Sequence, residues 1–73
     1  MKAEFLTLMF NRLKAKAAMD TAKGNFEAAD ALLGAAEKAA GAKGVMQDSA
    51  VYREWTSTAH IYCKAMSHYG NLL

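Results

Sequence analysis

His60, Cys63 and His68 are the residues of this chain whose types come nearest to a chemical signature, since imidazole and thiolate bind metal and serve as bases or nucleophiles. A structural zinc site takes four converging ligands. Here the further donors would have to come from distant acidic residues or from a second subunit, so no metal site is expected. A nucleophilic Cys63 needs a lowered pKa, which the neighbouring Lys64 alone does not provide. Neither histidine has an evident carboxylate partner, and the acidic residues fall on polar helix faces. No set of nucleophile, base and orienting group can be named. The segment from Gly41 to Asp48 holds two glycines but lacks the residues of a phosphate-binding loop, and no strand precedes it. The residues point to a protein with no catalytic site, no metal and no cofactor.

What must hold these side chains is a set of helices. Hydrophobic residues make up 53% of the 73, but much of that is alanine, and proline is absent, so an all-α chain follows. A domain of this length buries only roughly 60% of its unfolded surface, and self-association or a partner is expected to supply the rest. Cys63 is the single cysteine, which rules out an intramolecular disulfide and suits a reducing compartment such as the cytoplasm. The apolar opening is broken by Thr7 and Asn11 and is too short to span a bilayer. Glu4 sits badly in a secretory leader. The formal charge is +2, unevenly spread: Lys2, Arg12, Lys14, Lys16 and Lys23 against Glu4 and Asp20 give +3 over residues 1–24, and Lys38 against Glu27, Asp30 and Glu37 gives −2 over residues 25–41.

Helical periodicity and glycine placement predict three helices, at about 2–23, 26–40 and 49–69. Lys23 suits a last turn, Gly24 a left-handed terminator and Asn25 the next cap. On the first helix Leu6, Met9, Phe10, Leu13 and Ala17 share one face, and Phe5, Leu8, Ala15, Met19 and Ala22 an adjoining one. On the second, Phe26, Ala29, Leu33, Ala36 and Ala40 lie opposite Glu27, Asp30, Glu37 and Lys38. Gly34, on its polar side, marks either a close approach or, more simply, a tolerated surface glycine. Asp48 or Ser49 is the expected cap of the third helix. There Val51, Trp55, Thr58, Tyr62, Ala65, Met66 and Tyr69 form a stripe that would fill the groove of an alanine-rich hairpin. Arg53, Ser57, His60, Lys64, Ser67 and His68 make its outer face. The fold expected is an antiparallel helical hairpin plus a third helix, a small three-helix bundle that pairs as a dimer.

Leu13 followed by Ala17, then Gly24-Asn25-Phe26-Glu27, Ala29, Leu33 and Ala36, stand at the spacing of one tetratricopeptide repeat. The stretch from about Leu13 to Gly41 resembles that family. Asp20 replaces its usual aromatic, Gly41 its frequent proline, and there is one hairpin where a superhelix takes about three. The resemblance implies helix-hairpin packing and protein binding, without a peptide groove. The order of hairpin then third helix is also similar to the microtubule-interacting-and-transport three-helix domain.

Two function classes remain. The first is a small non-enzymatic interaction module, an adaptor, chaperone-like subunit or inhibitor of a larger protein, of the sort that mobile elements and secretion systems encode. Its expected contacts are Phe5, Leu6, Leu8, Met9, Phe10, Arg53, His60 and Lys64, with His60, Lys64 and His68 at four-residue steps suited to an acidic surface, and its partner another protein or a second copy as homodimer. The alternative is a dimeric helical bundle that regulates RNA or DNA through Arg12, Lys16, Lys23 and Lys64. Without clustered aromatics or a basic run, nucleic acid is the weaker expectation, and membrane is not expected.

Overall fold

The computed structural model describes residues 2–41 and 49–73. Among these residues there are two helices, α1 (Lys2–Ala40) and α2 (Ala50–Leu72), packed side by side as a helical hairpin. The molecule measures 59 × 15 × 15 Å. A helix of 39 residues is about 58 Å long at 1.5 Å per residue, so α1 alone sets that length.

The three-helix bundle is therefore corrected to two helices. The turn expected at Gly24 does not exist: α1 runs through Lys23, Gly24 and Asn25. The residues that carry the tetratricopeptide resemblance lie along one helix and form no hairpin of their own, and the third helix of the microtubule-interacting arrangement has no counterpart among the described residues. The reason lies in the phase of the apolar residues. Arg12, Ala15, Met19, Ala22, Phe26, Ala29, Leu33 and Ala36 alternate spacings of three and four without a skip, and each is buried or half-buried. A turn at Gly24 would take Phe26, Ala29 and Leu33 out of line with Ala15, Met19 and Ala22. Keeping glycine inside the helix costs about 1 kcal/mol, whereas covering a leucine or phenylalanine side chain contributes about 1.5–3 kcal/mol. Burial wins. The left-handed glycine cap does occur, one segment later: Gly41, just past Ala40, has φ +75°, and no other described glycine has positive φ.

α2 matches α1 with the same alternation, in the stripe read from the sequence. Val51, Trp55, Thr58, Tyr62, Ala65 and Tyr69 face α1, continued by Leu72, whereas Met66 is exposed beside them. Ser49 caps the helix, its Oγ accepting from the backbone N–H of Tyr52 at 3.1 Å. Asp48, the other candidate cap, and the connector read at 42–48 lie outside the described residues.

With one helix in place of two, α2 has no groove to fill. The described core is Ala15, Ala22, Ala29 and Leu33, all on α1, and no α2 residue is fully buried. The three alanines recur every seven residues along the seam, leaving room for bulk from the other helix. Trp55 and Tyr62 of α2 take that room against Phe26 of α1, their rings 6.0 Å and 5.9 Å from its own, centroid to centroid. Trp55 also lies 5.9 Å from Tyr52 and donates its indole N–H to Asp30 Oδ1 at 2.9 Å.

Candidate functional site

The two helices differ in length by sixteen residues, and the difference decides where the surface is open. Arg12 marks the limit. Its Nε donates to the carbonyl oxygen of Leu72 at 2.6 Å, and a terminal guanidinium nitrogen reaches that of Leu73 at 3.4 Å. A cation on the last carbonyls of a helix satisfies acceptors that have no partner within the helix and opposes the dipole. Residues 2–11 of α1 run past this point for about 15 Å with no second helix beside them among the described residues.

That overhang carries most of the contacts expected from the sequence. Phe5 and Leu8 keep the three- and four-residue phase of Arg12, Ala15 and Met19, so they prolong the seam beyond the end of α2. Phe5 is 60% exposed and Leu8 39%. Leu6, Phe10 and Leu13 lie on the opposite side of α1 and are 61–64% exposed, with Met9 between the two sets at 43%. The division of the first helix into two apolar surfaces thus separates a covered one, which includes Ala15, Met19 and Ala22, from an open one. A shallow groove against the overhang is lined by Ala3, Glu4, Thr7, Leu8 and Asn11.

Arg53, His60 and Lys64 are all exposed and share the outer face of α2. Lys64 stands eight residues before Leu72, about 12 Å along the helix, so this face and the overhang are two surfaces. The four cations considered for nucleic acid do not all lie on one surface, although Lys16 and Lys23 share a flank of α1. Arg12 is held by the end of α2. Lys16 pairs with Asp20 at 2.9 Å on the surface, and that hydrogen bond, with the attraction of the carboxylate, raises the lysine above its usual pKa. The pair's contribution is therefore present below the ordinary lysine value and is lost as pH rises through the raised one. Lys64 projects from the other helix.

His60, Cys63 and His68 are exposed. Among the described residues no group of three or more His, Cys, Asp and Glu side chains gathers as a metal site would require, and no helix is long and apolar enough to cross a membrane. Two polar contacts escaped the sequence reading. Asp30, placed on the water-facing side, accepts from Trp55, and Arg12, placed on a basic flank, closes the hairpin. The signal for Arg12 was its spacing of three before Ala15, on the seam itself. No family model, curated protein or solved structure matches the chain.

Proposed function

We propose that this protein is a small interaction module that offers the overhang of α1 to a helix of another protein. The observation that carries the reading is the continuation of the seam past α2: Phe5 and Leu8 sit at seam positions beyond the end of α2 and are exposed. A partner helix laid along residues 2–11 would occupy the line that α2 occupies further on, with Met9 adapting to its side chains. An adaptor, a chaperone-like subunit or an inhibitor would all work in this way, without chemistry of its own. Arg53, His60 and Lys64 would serve as a secondary contact with an acidic surface. An exposed, free Cys63 fits a reducing compartment, and we place the protein in the cytoplasm. The engagement of Arg12 and Lys16 within the chain favours a protein partner over nucleic acid.

The experiment is capture from an extract of the source cell with the natural chain and with Phe5→Glu/Leu8→Glu, followed by reconstitution of the recovered protein with purified chain. The double variant should keep its helical circular dichroism, because both side chains are exposed and lie beyond the point where Arg12 meets the end of α2, and lose the reconstituted complex. Equal binding by both chains would remove the overhang from the reading.

A further inference from the structure

A second surface of α1, on the side away from α2, is independent of the seam's open end. Its residues recur at spacings of three and four: Leu6, Phe10 and Leu13 at one end, Ala17 and Asp20 in the middle, and Gly24, Glu27, Ala31 and Gly34 at the other. The first three are bulky, apolar and exposed. The two glycines stand in mid-helix without positive φ, and a Cβ at either would meet nothing within 4 Å. Among the described residues no turn and no neighbour requires them, although each costs about 1 kcal/mol of helix propensity against alanine. Beside this stripe runs a flank of Lys16 and Lys23 followed by Asp30 and Glu37.

Both gradients run along α1, and both are self-complementary when one copy is reversed. We infer that the chain forms a two-fold homodimer in which two α1 helices pack antiparallel through these outer faces, the bulky third of each against the small-residue third of the other. With Phe10 set over Gly34 of the second copy, Leu13 falls over Ala31 and the two-fold axis passes between Thr21 and Lys23. Lys16 then lies beside Asp30 of the second copy. A parallel pairing would instead set Phe10 against Phe10 and the basic end against the basic end. An isologous contact of this kind repeats every favourable pair twice.

The area supports a second copy as the occupant. A compact chain of 7.9 kDa exposes about 4,400 Å² by size scaling, whereas this one exposes 5642 Å². The excess is roughly 1,200 Å² per chain, which over two chains reaches the range of obligate homodimers. Covering one side of a rod 59 Å long is a natural way to remove it.

Sedimentation equilibrium tests the inference. The natural chain should sediment at micromolar concentration with twice the mass of 7.9 kDa. Gly34→Leu should halve that mass while its helical signal persists, because the space at Gly34 is open in the free hairpin and is taken by Phe10 in the dimer. In a Cys63→Ser background, Phe10→Cys together with Gly34→Cys should give a covalent dimer on oxidation, and neither cysteine alone should do so. A monomeric natural chain with its fold intact overturns the inference. So does a dimer that survives Gly34→Leu but dissociates in Phe5→Glu/Leu8→Glu, which would assign self-association to the seam's open end.

Discussion

Gly24 and Gly41 should respond to the same substitution with opposite signs. Gly24 lies inside α1 without positive φ and with open space where a Cβ would stand. Gly24→Ala therefore adds no clash and relieves the entropic cost of glycine, a gain of about 0.8–1 kcal/mol. Gly41 has equally open surroundings but φ +75°. An alanine there is forced into the left-handed region at a cost of roughly 1–2 kcal/mol. For a domain of this size 1 kcal/mol moves the melting temperature by about 4–8 °C. We predict that Gly24→Ala melts several degrees above its parent and Gly41→Ala several degrees below. The measurement is thermal unfolding by circular dichroism at 222 nm, in a Phe10→Glu background so that it reads the hairpin alone. A fall in melting temperature for Gly24→Ala would mean that Gly24 terminates a helix after all, and the single long α1 would be refuted.

Two further predictions concern the seam and its closure. Leu33 is buried on the seam and Glu37 is exposed, so Leu33→Asp should cost at least about 3 kcal/mol and unfold the hairpin, while Glu37→Ala should change the melting temperature little; equal melts for the two would refute that facing. Arg12→Ala removes the donor to Leu72 and should cost about 1 kcal/mol, read as faster hydrogen exchange in the last turn of α2, with Lys14→Ala as the control that leaves it unchanged.

The helical content, the seam stripe of α2 and the Ser49 cap were legible because each rests on short spacing rules that need no knowledge of what lies opposite. The number of helices was not. Lys23-Gly24-Asn25 has the chemistry of a helix end followed by a helix start, and local chemistry leaves both a turn and a straight run possible. The decision came from residues on either side, where Met19, Ala22, Phe26 and Ala29 keep one phase through the glycine. The sequence carries that phase, but it reads as one face only when the segments on either side of Gly24 are taken as a single helix. Asp30 and Arg12 were misplaced for a related reason: a carboxylate or guanidinium at the edge of a seam reaches across it only when the opposing residue is known. The apolar character of Phe5, Leu6, Leu8, Met9 and Phe10 was plain, but the point at which α2 stops beside them depends on the length of a helix sixty residues away.

The alanines at 15, 22 and 29 make α1 a ruler whose marks are all alike. Sliding α2 by seven residues, about 10.5 Å, would bring it against the same column of methyl groups, so the column holds the helices close and says nothing about alignment. That information resides in the few contacts that do not repeat: Phe26 between Trp55 and Tyr62, the indole of Trp55 on Asp30, and the guanidinium of Arg12 on Leu72. Proximity and address are thus encoded by different residues. Losing an address residue while the alanines remain leaves a hairpin as helical as before, with more than one way to line up.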